Sequence, residues 1–487
     1  MPSDDRLPVV VATGQSIERH GTVSALDLAE RAARSALDGQ GRLRAAVERV
    51  SVVNIVSPVG PAPAADLARR LGLTPRATEV TTVGGNSPQW LVNRAAAAIT
   101  AGEVDVVLIA GAEAQRSAHA GPPDPGAGPE GAGAPDPVLG DDRAPVSAAE
   151  FRAGLIAPVH IYALFESVLA HRAGRSFAEH RARLGRLMAP FTEVAATHPY
   201  AWFPESRTPA ELSDITADNR LVAEPYPKSM CAMFGVDQGA AVVVTSLAAA
   251  RRAGVDDGAV FCWSGAQCTD VWFPAARPDP GTAPALRAAA TATLEAAGTG
   301  VDDVGAFDLY SCFPCAVELA ADALGLAGDD GRGLTVTGGL PYFGGPGNNY
   351  SLHAVATMVE RLRHRGGTGL VTALGWYLTK HAAGLYGADP PAEGWRPGDT
   401  ATAQARIDDS AVGIATEATG PAVVVASTVV SDRQGEITAA PVIARLDDGR
   451  HVPAVAADDD LPSMAGRNLV GTTVNLEGAP VRYRVTG

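Results

Sequence analysis

The chain has 487 residues, 46% of them hydrophobic, which is enough to bury an extensive core and to form two or three domains. A formal net charge of −15 argues against a nucleic-acid-binding surface, which needs clustered basic residues. No uncharged apolar run reaches about 18 residues and the acidic N-terminus does not resemble a secretory signal, so we expect a cytoplasmic protein that binds no membrane.

The cysteines do not indicate a metal site. All five are expected to be free thiols in such a compartment. Cys312 and Cys315 have the spacing of a redox or zinc pair, but no second pair or histidine cluster accompanies them. We therefore predict no metal and no covalently bound cofactor.

The first hundred residues alternate between strand-like and helix-like patterns. Residues 9–12 and 50–56 are apolar runs typical of buried strands. Residues 25–37, with Ser24 as the capping residue, and residues 65–71 have helical spacing. This alternation predicts a mixed or parallel sheet with helices on both faces.

A glycine-rich loop follows and leads into a helix. Gly85, Asn86 and Ser87 precede the helical pattern of residues 91–99, and residues 106–110 form an apolar run. Glycines let the backbone approach a bound group closely, and a helix start offers unpaired N–H groups. These three residues are therefore candidate ligand-binding residues.

Residues 114–235 are interpreted as an insertion that lies over the core. Residues 120–145 are rich in Gly, Pro, Ala and Asp and predict a long mobile loop. Residues 159–173 and 177–196 have helical patterns, the second with Ser176 as its capping residue.

The second half repeats the pattern of the first. A second glycine-rich loop contains Gly344, Gly345, Asn348 and Asn349, and a helical pattern and an apolar run follow it. The two copies predict a duplicated α/β unit whose two loops face one cleft. Strands that lead to this loop are predicted at 239–245, 259–263 and 306–310. Helices are predicted from residue 247, at 284–297 and at 313–324.

The last 90 or so residues differ in pattern. Pro/Gly-rich residues 390–398 predict a linker, and short apolar runs separated by turn residues follow it. They predict a small antiparallel β-domain, with a five-stranded, OB-like barrel as one candidate architecture. Acidic residues outnumber arginines there by twelve to eight, which favours a structural or partner-docking role over nucleic-acid binding.

Several motifs resemble those of the thiolase superfamily over roughly residues 5–390. The block beginning at Gly338 is similar to the Gly-Gly…Gly-His-Pro-x-Gly block of thiolases. Leu-Tyr-Ser-Cys-Phe from Leu309 is similar to the His-Asp-Cys-Phe block of the sterol-carrier-type branch, and residues 102–105 are similar to the segment after the nucleophile helix. With Trp-Tyr-Leu-Thr-Lys-His from Trp376, the combination looks like the actinobacterial thiolase-like proteins of type 1.

This resemblance implies an α/β fold, namely a duplicated five-layer (αβαβα) thiolase fold with an inserted loop domain and an additional C-terminal β-barrel. It also implies acyl-coenzyme A (acyl-CoA) thioesters as ligands. The implied domains are an N-terminal half at 1–113 and 236–265, a loop domain at 114–235, a C-terminal half at 266–393 and the β-domain at 394–487.

The sequence departs from the family at the residues that carry its chemistry. Gly85 stands at the position of the acylated cysteine, and Gly345 and Tyr310 stand at the positions of two histidines. The second cysteine, expected near Leu374, is absent. Without a thiolate and an activating imidazole, the familiar route through an acyl-cysteine is not available, whereas backbone N–H groups could still bind an oxyanion.

Five residues remain as catalytic candidates: Tyr310, His381, Cys312, Asn348 and Asn349. The phenol of Tyr310 could donate a proton to a reacting oxygen or, when activated, accept one, and His381 could act as acid or base. A hydrogen-bonded core tyrosine, a capping histidine and a buried inert thiol at Cys312 are the alternatives.

Both lysines are ligand-binding candidates. Lys228, where the insertion returns to the core, could pair with a phosphate of CoA, and a solvated surface lysine is the alternative. Lys380 would lie near the carboxyl end of a strand, where cleft residues sit.

The resemblance leaves several functions open. The first is an acyltransferase or carbon–carbon bond-forming or -cleaving enzyme that acts on a CoA thioester without the cysteine. The second is a catalytically inactive acyl-CoA-binding protein, and the third is a retro-aldolase-type lyase whose β-domain takes the place of a separate partner. An assembly subunit whose barrel docks a partner is a weaker alternative, and the chain could be a monomer or a homodimer.

Overall fold

A computed structural model of the chain describes residues 4–120 and 134–485. Residues 121–133 of the predicted mobile loop lie outside the described residues. Among the helices that are described, none combines the length and the apolar character needed to cross a membrane.

Residues 4–120 alternate strands and helices as predicted, with an additional helix at Gly41–Ala45 and an additional strand at Ala77–Thr81 that the sequence did not predict. The Ser24 side chain accepts a hydrogen bond from the Asp27 N–H at 3.1 Å, and the Asp27 carboxylate accepts one from the Ser24 N–H at 3.2 Å, so the predicted cap is confirmed. The elements are β1 (Pro8–Ile17), α1 (Ala25–Leu37), α2 (Gly41–Ala45), β2 (Arg49–Val52), α3 (Pro63–Arg70), β3 (Ala77–Thr81), α4 (Ser87–Ala101), β4 (Val106–Ala114) and α5 (Gln115–Ala120).

The insertion is mainly helical. Ser176 caps the longest of its helices through the same reciprocal pair of hydrogen bonds, here with Glu179. The elements are β5 (Val138–Leu139), α6 (Ala148–Arg152), α7 (Pro158–Arg172), α8 (Phe177–Thr197), α9 (Pro209–Ser213), β6 (Leu221–Ala223) and β7 (Tyr226–Pro227).

Residues 236–409 complete the core: the strand Asp237–Ser246 pairs with β1 and β4 of the first half, and the elements from Val260 onward form the second half. Two strands were not predicted, Lys380–Gly387 and the two-residue Arg396–Pro397. Lys380–Gly387 is rich in alanine and glycine, which have low strand propensity, and is fixed by pairing with strands on both sides. The elements are β8 (Asp237–Ser246), α10 (Leu247–Ala253), β9 (Val260–Thr269), α11 (Pro284–Ala296), β10 (Ala306–Asp308), α12 (Pro314–Leu324), α13 (Tyr350–Arg365), β11 (Thr368–Gly375), β12 (Lys380–Gly387), β13 (Arg396–Pro397) and α14 (Ala401–Asp409).

The core has the five predicted layers. The strands lie in the order β10-β11-β12-β9-β1-β8-β4-β2-β3-β5, and the two halves meet where only two residues of β1 pair with β9. Helices α4 and α13 contact each other and strands of both halves, so they form the central layer. Helices α1 and α3 cover the outer face of the first half, and α11 and α12 lie outside the second. The duplicated α/β fold is therefore confirmed.

The C-terminal region closes a five-stranded barrel in the order β14-β17-β18-β20-β19, which confirms the predicted β-domain. All of its strand pairs are antiparallel except β18 with β20. The elements are β14 (Gly420–Ser427), β15 (Val430–Ser431), β16 (Ile437–Ala439), β17 (Pro441–Arg445), β18 (His451–Ala456), β19 (Thr473–Glu477) and β20 (Arg482–Val485).

The segment that precedes the barrel strands packs on the core. Strand β13 pairs with β9, and α14 packs on α11. The barrel itself contacts the insertion: the Ser427 N–H donates to the Ser167 side chain at 3.1 Å, and the Asn468 amide donates to the Ser167 carbonyl at 2.8 Å. Strand β15 also pairs with β6, which joins the two regions in one small sheet.

Candidate functional site

A cavity of about 320 Å³ opens between the two glycine-rich loops. The first loop contributes Gly84 and Gly85 to its wall, and the second contributes Gly347 and Asn348. This volume lies at the lower end of the range of ligand-binding pockets, about 300–1,000 Å³. Aromatic side chains form much of the remaining wall: Tyr162, Phe234, Tyr310, Phe313, Trp376 and Tyr377.

The hydroxyl of Tyr310 occupies the space that a side chain at position 85 would need. A Cβ atom built on Gly85 would overlap this hydroxyl and would lie 2.6 Å from the carbonyl oxygen of Leu374. Real Cβ atoms do not approach other atoms so closely. The cysteine that thiolases carry at this position would therefore not fit unless the phenol moved.

Most polar groups of the first loop's backbone are bound by the protein. The carbonyls of Val83, Gly84 and Gly85 accept hydrogen bonds from the Lys380 ammonium at 2.5 Å, the Ser87 N–H at 3.0 Å and the Ser351 hydroxyl at 2.7 Å. The Gly84 N–H donates to the Asn348 side chain at 2.8 Å.

The N–H of Gly85 makes no hydrogen bond to any group in the described part of the chain. Gly85 lines the cavity and α4 begins two residues later, so this N–H is a candidate donor to an oxyanion or a polarised carbonyl.

The two asparagines of the second loop bind the protein itself. Asn348 lines the cavity, but its amide nitrogen donates to the backbone carbonyl of Asn54 at 3.0 Å while its oxygen accepts from Gly84. Asn349 is buried outside the cavity wall and donates to the Gly111 carbonyl at 2.7 Å. Asn349 occupies the N-cap position of α13 without a side-chain capping bond. Both amides thus bind backbone groups of other segments rather than project freely toward a ligand.

Cys312 lines the cavity, as a catalytic role would require. Burial raises the pKa of its thiol to about 12, so almost no thiolate is present near neutral pH. Burial also raises the pKa of the Tyr310 phenol well above its usual 10, which leaves this group protonated. Both groups are therefore protonated and neither is a base at neutral pH, and a phenol is a stronger hydrogen-bond donor than a thiol.

His381 lies outside the cavity wall, and so does its neighbour Lys380. Successive side chains of a strand point to opposite faces, so His381 and Lys380 diverge at the start of β12. The His381 ring is 1% exposed, makes a 3.0 Å hydrogen bond with the Leu378 carbonyl, and burial lowers its pKa to about 3. The structure places this candidate acid or base away from the ligand cavity.

Three glycine-loop candidates and Ser87 also lie outside the cavity wall. Gly344 has a φ of 112° and packs against the Gln238 amide, and the Gly345 N–H donates to the Met233 carbonyl at 2.9 Å. Asn86 precedes α4 with its side-chain oxygen buried and unpaired, and Ser87 is buried at the start of that helix.

Lys228 is exposed and lines a separate depression of about 730 Å³. Arg207 lines the same depression, so two cations are available to an anionic group there. Four carboxylates also line it and weaken its attraction for a phosphate: Glu205, Glu211, Asp214 and Asp218.

Tyr162 comes from the insertion and was not among the predicted site residues. Its ring stacks on Phe313 with centroids 4.6 Å apart. Its hydroxyl donates to the Trp376 carbonyl at 2.9 Å and accepts from the Leu378 N–H at 3.2 Å. Trp376 and Leu378 have φ angles of 57° and 56°, which are unfavourable for residues other than glycine, so Tyr162 stabilises a strained turn of the cavity wall. Only the unusual Trp-Tyr-Leu-Thr run indicated this turn in the sequence.

One cluster among the described residues has the composition of a metal site but lies away from the cavity. Ligand atoms of Glu166, His180 and Glu318 lie within 4.8 Å of one another. Glu166 is bonded to His180 at 2.6 Å and to the Tyr226 hydroxyl at 2.7 Å, and Glu318 pairs with Arg183. These bonds tie α7, α8 and α12 together. All five cysteines are free.

Comparison with solved structures places this architecture among known folds. A monomeric SCP2-thiolase-like protein type 1 from Mycobacterium smegmatis is 34% identical over 99% of both chains, with a TM-score of 0.85. An Ltp2–ChsH2(DUF35) aldolase is 22% identical, covering 79% of this chain and 98% of that one, with a TM-score of 0.61. Acetyl-CoA acetyltransferase from Syntrophomonas wolfei is 18% identical over 79% of this chain and 99% of that one, at 0.57. No protein-family model and no curated protein matches the chain.

Proposed function

Because the chain belongs to the SCP2-thiolase-like proteins of type 1, within the thiolase superfamily, we propose that it binds an acyl-CoA thioester between its two glycine-rich loops without forming an acyl-enzyme. The observation that carries this proposal is the Tyr310 hydroxyl, which fills the space of a nucleophilic side chain at Gly85. The ligand class is supported by two proteins of the same fold that are named for such thioesters, an acetyl-CoA acetyltransferase and a human mitochondrial 3-ketoacyl-CoA thiolase.

The proposed chemistry is acyl transfer, or formation or cleavage of a carbon–carbon bond, at the carbonyl of the bound thioester. The Gly85 N–H would donate to the thioester oxygen as negative charge develops there. The protonated phenol of Tyr310 would supply a second donor, or a proton, to the same charge. Asn348 would support this arrangement by holding the Gly84 N–H, without touching the ligand through a free amide.

A second candidate function, binding without catalysis, is favoured by one specific observation. The described residues that line the cavity include no carboxylate, imidazole or primary amine, so none of them is a general base at neutral pH. Under this alternative the protein would bind or present an acyl-CoA unchanged. A base would then have to come from the substrate or from a partner for any proton abstraction to occur.

A third candidate, a retro-aldolase-type lyase, is supported by the likeness to an aldolase whose name includes a DUF35 component. In this chain the barrel contacts α7 through Ser167, and Tyr162 of the same helix lines the cavity. A barrel that is covalently attached would fix α7 without a separate partner. We also propose that the chain acts as a monomer in the cytoplasm, as the monomeric relative suggests for its oligomeric state.

One experiment separates these possibilities. The protein is incubated with acetyl-, acetoacetyl-, long-chain and steroid acyl-CoAs while thiol release and aldehyde or ketone formation are measured, and calorimetry records binding. We expect micromolar binding and no acyl adduct on residues 82–90 by intact mass and peptide mapping. A stable adduct there would refute the proposal, an adduct on Cys312 would replace the non-covalent mechanism, and binding without turnover would support the non-catalytic alternative.

A further inference from the structure

A single peptide bond in the first loop is held from both sides by residues distant in sequence. The Val83 carbonyl accepts from the Lys380 ammonium at 2.5 Å, and the Gly84 N–H of the same peptide unit donates to the Asn348 side chain at 2.8 Å. Since a peptide unit is planar, fixing its oxygen and its hydrogen fixes its orientation. The next N–H along the chain belongs to Gly85, which lines the cavity.

The surroundings of Lys380 are unusual for an ammonium group. Its side chain is 7% exposed and its nitrogen lies 5.8 Å from the centroid of the Trp376 ring. A Cβ atom on Gly84 would lie 2.9 Å from this nitrogen, so the amine is packed directly against the loop. The charged groups that act on it are Asp141 and Arg143, which also pair with each other at 2.7 Å. The carboxylate of Asp141 is therefore shared with Arg143 and is not a partner of Lys380 alone.

We infer that Lys380 is a positioning residue whose positive charge, together with Asn348, orders the Val83–Gly84 peptide and so aims the Gly85 N–H into the cavity. The inference rests on the proposed function only in one respect, namely that the Gly85 N–H donates to the thioester oxygen. The ordering itself is a property of the protein without ligand. Lys380 thus binds the loop rather than the ligand, and its protonation controls the order of the loop.

Burial lowers the pKa of Lys380 to about 8, against the weaker opposing effect of Asp141. A neutral amine still donates a hydrogen bond, but a charge-assisted bond is about twice as strong as a neutral one. The loop should therefore loosen rather than detach as the pH rises through 8. Because Tyr310 titrates only well above 10, this change is separate from any loss of the phenol proton.

The chain offers a direct test because it contains only two lysines. Protein labelled with ¹³C at the lysine ε-carbon should give two resonances, which the Lys228→Arg variant assigns. We expect the Lys380 resonance to titrate near pH 8. A Lys380 midpoint above 10 would overturn the inference without bearing on acyl-CoA binding.

Hydrogen exchange measures the loop itself in the absence of ligand. Between pH 7 and 9.5, after correction for intrinsic exchange, amides of residues 82–90 should exchange about threefold to tenfold faster in the wild type, because the charge-assisted bond weakens. Lys380→Arg keeps its charge and should show no such step, whereas Lys380→Met should exchange fast at both pH values. An unchanged loop in the wild type would refute the inference even if Lys380→Met failed to fold.

Global stability should change in the opposite direction. The unfolded chain binds the Lys380 proton more tightly than the folded one, so the contribution of this lysine to the free energy of unfolding rises from about pH 8 to 10.5. Denaturant unfolding of the wild type minus Lys380→Met isolates this contribution from other groups. As the pH rises, the loop should become looser while the protein becomes relatively more stable. A lysine with only a structural role would not give this combination.

Discussion

The two glycine-rich loops have matching sequence patterns but differ in what their polar groups bind. In the first loop, side chains from elsewhere bind the backbone: Lys380, Asn348 and Ser351 take up three of its groups and leave the Gly85 N–H unpaired at the cavity. In the second loop, the amides of Asn348 and Asn349 bind backbone groups of other segments. Under the proposed function, the Gly85 N–H of the first loop is the donor to the ligand and the second loop supports the first. Duplicated motifs in this fold have separate roles.

The largest expected effect concerns Tyr310, which faces the first loop. If the protein is a catalyst, Tyr310→Phe should lower turnover on an active acyl-CoA by about 10²-fold or more with little change in affinity, because general acids act on transition-state charge. Turnover is measured by thiol release and affinity by calorimetry.

Tyr350→Phe is the matched control for this change. Its hydroxyl binds Thr337 at 2.6 Å and Asp308 at 3.1 Å, away from the cavity wall, so its loss should reduce stability and leave turnover nearly intact. If the wild type turns over a substrate and Tyr310→Phe keeps the full rate, the acid role belongs to another residue.

The second effect compares one glycine from each loop. Gly85→Ala should destabilise the protein by about 1–3 kcal/mol, because its Cβ would overlap the Tyr310 hydroxyl. Gly345→Ala should stay within about 0.5 kcal/mol, since the nearest atoms lie 3.4 Å from the new Cβ. Urea unfolding measures both.

Tyr310→Phe in the Gly85→Ala background should recover part of the lost stability but not all of it, because the new Cβ still lies 2.6 Å from the Leu374 carbonyl oxygen. Equal stabilities of the two alanine variants would contradict the geometry of the loops.

The third effect separates the adjacent asparagines. Each loses hydrogen bonds on truncation, so Asn348→Ala and Asn349→Ala should both cost about 1–3 kcal/mol of stability. Only Asn348 holds the first loop, so only its truncation should also speed hydrogen exchange of residues 82–90 and weaken acyl-CoA binding. The same exchange pattern in both variants would show that the second loop supports the first as a unit rather than through Asn348.

Local signals were the part of this structure that the sequence could predict. The caps at Ser24 and Ser176 depend on residues three positions apart, and both are confirmed. Strand β12 was missed because its alanines and glycines carry little strand signal and neighbouring strands determine its conformation. The site was less predictable for the same reason: His381 and Lys380 were considered together, but strand alternation sends them to opposite faces. Tyr162 lies about 150 residues before Phe313 in the chain, and only the fold brings it there.

The smallest effect tests whether the cavity extends to the depression that Lys228 lines. If Lys228 pairs with the 3′-phosphate of CoA, Lys228→Met should weaken CoA binding by up to about fivefold at low salt, as for an exposed ion pair. Lys228→Arg keeps the charge and should bind as the wild type does. The effect should disappear in 0.5 M salt, where the screening length falls to roughly 4 Å, and with dephospho-CoA, which lacks that phosphate. Calorimetry with both ligands measures it.

An equal loss with dephospho-CoA would place the interaction elsewhere on the ligand. No loss at all would mean that the four carboxylates around Lys228 cancel its attraction for phosphate. The CoA part of the ligand would then extend from the first loop in another direction.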